Sequence, residues 1–358
     1  MPVSNRLSSK SHLTRVETNG NGSSKTEGYV FHSYGPERYV HHVVASVVTL
    51  RRHDRHRRIA LYCPESHATA LREKGIEGLF DVIEELPAEN HSVVGFKHNL
   101  HRFMPFDRSL FVDADTVWCR DPDSLWKQLS AFDFTATGIE RSDFFFGGPK
   151  GLGVAMDYVF DRRRKTMRRF GLTHLPRVQA GMIYAQDREV TERACSLARE
   201  YFDGRDKTHF RSRLEEGRNE ESCEWSLAMA MSGLELPIFP WLQGFNSPQL
   251  DYITGLTEHD VDFNEVKCRY YSDRFVYNLR GVPNEGLRRI LIGFFSRLPG
   301  RGDYFNVRPY VLHFGWLNHK QPFIDFSERN WRQIKGLRVP AVEELLLAAN
   351  GNGTNGKH

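Results

Sequence analysis

The chain has 358 residues, 40% hydrophobic and 26% charged, with a net charge of +4. That length holds one large core or two modest ones, and so mild a charge excludes a dedicated nucleic-acid binder while admitting acidic small-molecule ligands. Five scattered cysteines with no Cys-x-x-Cys argue against a disulfide framework or a thiolate metal site, and no apolar run is long enough to span a bilayer.

Residues 1–27 are rich in Ser, Asn, Gly and Lys and lack the apolar core of a signal peptide, so they read as the disordered tail of a cytoplasmic protein. A first strand is expected over Tyr29 to Gly35. Pro36 and Glu37 then open a helix with Tyr39, Val40, Val43, Val44, Val47 and Leu50 on one face. A second strand, Ile59 to Cys63, stops at Pro64; the helix Glu65 to Lys74 stops at Gly75; a third strand covers Phe80 to Leu86. This alternation predicts an α/β fold with right-handed crossovers and a mostly parallel sheet. No Gly-x-Gly-x-x-Gly follows the first strand, which disfavours a dinucleotide site.

Lys97 to Phe103 is a basic turn or helix, either a cation cluster near a phosphate or a solvated face. Behind it, Leu110 to Val112 reads as a short buried strand with Asp113 and Asp115 at its carboxyl end. Two carboxylates at the rim of a buried strand repel each other and lose hydration. A divalent cation such as Mg²⁺ or Mn²⁺ relieves both costs, and strand carboxyl ends are where open α/β sheets collect ligands. The plain alternative is a solvated turn.

Asp121-Pro122-Asp123 starts a further helix, and Phe132 to Gly138 a further strand. The Gly-rich aromatic segment 144–153 reads as a connecting loop, with a mobile flap as the alternative. The basic cluster Asp161 to Arg169 reads as a solvated helix, with an anionic acceptor or a membrane surface as the alternative. Gln179 to Ala185 is a strand entered through small residues, a pattern that marks close approach of a ligand or another chain segment. The amphipathic helix Arg188 to Phe202 and an exposed charged loop, Arg205 to Arg218, follow. Glu220, Glu221 and Glu224 open another helix, where acidic residues suit the helix start. In the helix 284–298, Leu287, Ile290, Leu291, Phe294 and Leu298 share one face. That stripe is expected to face the core, with peripheral membrane contact as the alternative. A last strand and turn run from Tyr310 to Trp316. Residues 346–358 read as a second disordered tail, leaving 28–345 as a single domain elaborated near 284–300.

These motifs, in this order, resemble the metal-dependent, retaining glycosyltransferases of the glycogenin and galactosyltransferase type, whose fold is called GT-A. Leu110 to Trp126 is similar to that family's stretch around its Asp-x-Asp, including the Asp-Pro and Leu-Trp that follow. Gln179-Ala180-Gly181 is similar to its Asn-Ser/Ala-Gly strand, with Gln for Asn. His313-Phe314-Gly315 with Lys320, Pro322 and Phe323 resembles its closing motif, with altered spacing and Phe for Trp. The resemblance implies that Asp113, Asp115 and His313 hold Mn²⁺ (or Mg²⁺) against the diphosphate of a nucleotide-sugar donor, UDP-hexose foremost. It places Lys320 against that diphosphate and His32, Ser33 and Tyr39 around base and ribose, with Lys97, Ala114 and Gly315 as further candidates for binding the donor. The family's Asp-Gln pair has no clean counterpart; Glu224, with Glu221 as the alternative, is the candidate catalytic carboxylate, and Gln179 a candidate beside it. The acceptor, whether glycan, lipid, protein or metabolite, and the oligomeric state stay open.

Two rival readings remain. One is a binding protein of the same fold without turnover, because fold does not fix function. The other is a haloacid-dehalogenase-like phosphatase, in which Asp113 would be the nucleophile and Asp260 with Asp262 the downstream acidic pair.

Overall fold

A computed structural model of the protein describes residues 25–140, 159–214, 219–241, 247–271, 282, 284–295, 304–315 and 319–334. Both predicted tails, the Gly-rich segment 144–153, the end of the charged loop at 215–218, residues 296–298 of the amphipathic helix and Trp316 lie outside them.

The amino-terminal half follows the predicted alternation. β1 (Glu27–His32), α1 (Arg38–Arg51), β2 (Arg58–Cys63), α2 (Glu65–Lys74) and β3 (Val82–Glu85) succeed one another, and β1, β2 and β3 are parallel. α1 forms because its valines fall at helical spacing and all pack inward; Val40, Val43, Val44, Val47 and Leu50 are fully buried. α2 ends where Gly75 takes φ 67°, letting the amides of Gly75 and Ile76 close back on Arg72 and Leu71. The basic stretch after β3 is split between a short helix, α3 (Val93–Lys97), capped by the Ser92 hydroxyl, and a 3-10 turn over Leu100–Arg102.

The chain then enters β4 (Arg108–Val112), which pairs with β1 on the side opposite β2. β5 (Thr116–Trp118), α4 (Asp123–Leu129), β6 (Phe134–Ile139), α5 (Arg162–Arg169), β7 (Arg177–Ala185), α6 (Arg188–Asp203), α7 (Glu224–Gly233) and β8 (Phe239–Pro240) follow. The main sheet has the order β3-β2-β1-β4-β7-β6-β8, with only β7 antiparallel to the rest. The expected mostly parallel α/β sheet is therefore present, mixed by one strand. Its core strands are buried on both faces: Tyr29, Phe31, Leu110 and Val112 pack into one apolar cluster, Val30 and Phe111 into the other.

Two smaller sheets complete the described fold. β10 (Thr257–His259), β11 (Val266–Tyr271) and β12 (Tyr304–Val307) form an antiparallel trio. β9 (Gln249–Asp251) and β13 (Val311–His313) join β5 in the order β5-β13-β9. α8 (Glu285–Phe295) precedes β12, and α9 (Gln321–Gln333) closes the described chain.

The amphipathic stripe of α8 departs from its expected orientation. Leu287, Ile290 and Phe294 are exposed, while Arg288 is buried and its guanidinium donates to the Val282 carbonyl. Periodicity identifies the two faces of a helix, and it leaves open which one packs inward. Among the described residues no helix is long and apolar enough to cross a membrane.

Burial disfavours charge on several of the described imidazoles, five of them strongly: it pushes His32 down to about 3, and His42, His53, His98 and His209 to about 4. Unfolded, each takes up a proton as pH falls below about 6.5. Folded, each stays neutral to the lower value, so the unfolded state binds more protons in this window and stability falls as pH drops through it. His313, shifted upward, offsets part of this. We expect the urea midpoint to drop between pH 7 and pH 5. A midpoint flat over that range would mean the five rings are solvated.

Candidate metal and ligand site

The sheet order puts a topological switch between β1 and β4, since the chain leaves β1 toward β2 and returns on the other side at β4. The crevice at the carboxyl ends of two such strands is where an α/β sheet receives ligands. β4 ends at Val112, so Asp113 and Asp115 emerge there, beside His32 and Ser33 at the end of β1.

The pair does not dangle in a loop. The Asp113 amide donates to the Gly181 carbonyl of β7, and the Thr116 hydroxyl donates to the Asp113 carbonyl, tightening the turn. The chain then reverses directly into β5, which the sequence reading did not separate from the turn. β13 runs antiparallel to β5 with His313 opposite Thr116, and parallel to β9 with His313 opposite Asp251. The Phe314 amide donates to the Asp115 carbonyl. The small sheet thus delivers a histidine from the far end of the chain onto the two aspartates.

His313 Nε2 lies 3.6 Å from Asp113 Oδ2 and 3.5 Å from Asp115 Oδ1. One donor atom from each of the three residues falls within 4.8 Å of the others, a spacing that could hold a metal ion. The outer oxygens carry their own counter-charges: Lys97 Nζ is 2.8 Å from Asp113 Oδ1, and Lys320 Nζ is 2.7 Å from Asp115 Oδ2. Lys97 is buried, donates to the Ala180 carbonyl and sits over the Phe111 ring. Lys320 stands at the start of α9.

The electrostatics follow from this packing. Burial works against the charges of Asp113, Asp115, Lys97 and His313, and for these four the neighbours outweigh it. Lys97 and His313 hold the Asp113 carboxyl below its ordinary value, and Lys320 with His313 holds Asp115 well below it. Asp113 in turn raises the Lys97 ammonium. Asp115, Asp113 and Asp251 hold His313 well above the ordinary histidine range. The donor set is two carboxylate oxygens and one imidazole nitrogen, which fits a hard or borderline divalent cation.

Gln179 and Gly181 build the floor. Gln179 Oε1 accepts from the Gly181 amide at 2.8 Å, and Gln179 Nε2 lies 2.8 Å from His313 Nδ1. A Cβ at Gly181 would stand 2.6 Å from Gln249 Nε2 and 2.9 Å from Gln179 Oε1. The small residue signals the close approach of two side chains. Gly315 plays a similar part above: a Cβ there would be 2.4 Å from the His313 ring.

The remaining candidates fall around this centre. His32 is buried and stacked on Phe96 at 4.1 Å, and the charges of Asp113, Lys97 and Asp115 all reach it. The Ser33 hydroxyl pairs with His67 Nδ1 at 2.9 Å. Tyr39, half-buried on α1, meets His42 edge-on. Ala114 packs partly into the core cluster of the β1 helix layer. Glu224 opens α7; burial raises its carboxyl above the usual value, partly countered by Arg213 at 3.5 Å and by Lys97. Glu221 is tied to Arg205, Ser212 and the Arg213 amide, which fastens the segment before α7.

Three participants were missed from sequence. Asp251 ends a three-residue strand with no apolar run to announce it. Tyr34 donates its hydroxyl to Glu220, which also accepts from the Val93 amide at the mouth of α3. His42 lies within reach of Lys320 and Asp115. The acidic pair that a phosphatase reading requires lies elsewhere: Asp260 accepts from the Asn264 side chain and the Glu265 amide, and Asp262 pairs with Arg329 at 2.9 Å.

Gly315→Ala should push a methyl into the imidazole and displace Nε2, because Asp251 pins the other side of the ring. We expect Mn²⁺ affinity, measured by titration calorimetry, to fall at least about 10-fold, as when ligand orientation is lost. Unchanged affinity would mean that the ring or the 315 backbone moves aside freely.

No protein-family model matches the chain, and no curated protein matches it. Solved structures do. The galactosyltransferase LgtC, in complex with donor and acceptor sugar analogues, is 11% identical with a TM-score of 0.45, over 86% of this chain and 100% of that one. The apo form of the glycosyltransferase GlyE of Streptococcus pneumoniae is 14% identical with a TM-score of 0.45, over 91% of this chain and 64% of that one. Mouse xyloside xylosyltransferase 1, in its apo form, is 12% identical with a TM-score of 0.36, over 63% and 88% respectively. Likeness at this level assigns no chemistry to the chain.

Proposed function

We propose that the protein is a GT-A glycosyltransferase that moves a sugar, with retention, from a nucleoside-diphosphate donor of the UDP-hexose kind to an acceptor, using Mn²⁺. The observation that carries this reading is the convergence of Asp113, Asp115 and His313 at the carboxyl end of β4, beside the β1–β4 switch. The mixed oxygen and nitrogen donor set suits Mn²⁺, with Mg²⁺ as the alternative. Such a cation supplies charge stabilisation to a departing diphosphate.

The protein's own groups have distinct tasks in this scheme. Lys320, paired with Asp115 and close to solvent, supplies a second positive charge where the leaving group develops its negative one. His32, Ser33 and Tyr39 border the crevice and suit the base and ribose end of a donor. Ala114 and Gly315 keep the backbone close on either side of the cation site. Glu224, with its carboxyl raised by burial, is the acidic group nearest in character to a proton donor or to a partner for an oxocarbenium-like centre. Gln179 holds the floor beneath the cation site, against the Gly181 amide and the His313 ring.

The test is Mn²⁺-dependent release of nucleotide across a panel of nucleoside-diphosphate sugars. We expect one donor to be hydrolysed slowly, only with metal, and the rate to fall more than about 100-fold in Asp113→Asn or Asp115→Asn with thermal stability retained. Full activity in either variant would remove the metal role. Metal-dependent binding without hydrolysis, even with candidate acceptors present, would indicate a binding protein, and phosphate release from simple phosphomonoesters would indicate a phosphatase.

A further inference from the structure

The ring of His313 faces two competing neighbours through one atom. Its Nδ1 lies 2.9 Å from Asp251 Oδ1 and 2.8 Å from Gln179 Nε2. An imidazole nitrogen carries either a proton or a lone pair, so it serves only one of them at a time. The Gln179 amide cannot simply turn over to resolve the conflict, because its oxygen accepts from the Gly181 amide. The two pairings have opposite consequences at the other end of the ring. If Gln179 donates to Nδ1, a neutral ring carries its proton on Nε2, aimed at Asp113 and Asp115, and cannot coordinate. If Nδ1–H donates to Asp251, Nε2 presents its lone pair between the two aspartates.

Resting on the metal-site reading above, we propose that Asp251 is the positioning residue that selects the coordinating form of His313, against the competing Gln179 amide. Three observations support it. The contact is imposed by the backbone: Asp251 and His313 are register partners on neighbouring strands, and the Tyr252 amide donates to the His313 carbonyl. Both side chains are buried, at 2% and 8% exposure, so water does not dilute the interaction. A bond from N–H to a carboxylate is roughly twice as strong as one from a neutral amide, so Asp251 prevails over Gln179. Histidines that ligate metals recurrently use such a carboxylate behind the ring.

Metal binding to the full chain, read from the electron paramagnetic resonance signal of free Mn²⁺, separates the alternatives. Asp251→Asn should weaken Mn²⁺ binding about 10- to 100-fold. Gln179→Met alone, which removes the competing donor while Asp251 stays, is the reference against which the double variant is read. Combining the two should recover most of the loss, because the competing donor is gone; a purely structural role for Asp251 predicts no recovery. Asp115→Asn is the control for the site itself. If that variant binds Mn²⁺ normally, the metal-site reading fails; if it loses binding while Asp251→Asn does not, only the role of Asp251 fails. Loss without recovery in the double variant overturns selection by Asp251. Should Asp251→Asn fail to fold, ¹⁵N-histidine NMR of the Mg²⁺-loaded wild type decides. A proton on Nδ1 of His313 supports the proposal, and a proton on Nε2 overturns it.

Discussion

Three carboxylates share one largely buried crevice, and their mutual repulsion is the constraint that the surrounding structure answers. Asp113, Asp115 and Asp251 would each be costly to desolvate alone. The protein sets Lys97, Lys320 and a charged His313 against them, so opposed charges balance locally. The two lysines take the outer oxygens of the aspartate pair, and the imidazole takes the inner ones. Because each lysine already has its carboxylate, the inner oxygens and Nε2 are the groups left to share an added cation. The arrangement is poised for exchange: a divalent ion can take over the charge that the imidazole carries.

The backbone makes that balance possible by joining two sheets at the aspartates. β4 belongs to the main sheet and β5 to the small one, and only Asp113, Ala114 and Asp115 lie between them. Any shift of the small sheet therefore moves His313 relative to the pair. Glycines at 181 and 315 let side chains and ring pack where a methyl would collide. Lys97 reaches in from α3, across the Phe111 ring, so the helix after β3 is anchored to the same centre. Stretches of chain far apart in sequence meet here, which explains why no single segment carries the site.

Elsewhere the structure uses charge in a more ordinary way. Asp54 accepts from Tyr29 and Arg57, and the Trp126 indole donates to Tyr29, closing a polar seam beneath the first strand. Glu221 and Arg205 fasten the segment that leads into α7, which places Glu224 at that helix start. The exposed apolar side of α8 shows the limit of pattern reading. An amphipathic helix announces two faces, and the burial of Arg288 against a backbone carbonyl chooses between them.

What was legible in the sequence was local. Period-2 and period-3.6 patterns, with Pro36, Pro64 and Gly75 as punctuation, determined the alternating strands and helices through β3, since these depend on neighbours a few residues away. The apolar run ending in Asp113 and Asp115 likewise marked a strand rim with a charge problem to solve. The tertiary structure decided the partners. His313 lies 200 residues from Asp113 in sequence and reaches it only through the register of β13 between β5 and β9. Nothing local to the basic stretch around Lys97 announced its pairing with Asp113, and Asp251 gave no signal at all. A lone acidic residue on a short strand looks like any other until pairing sets it opposite a histidine, because strand register is a property of two segments and is written in neither alone.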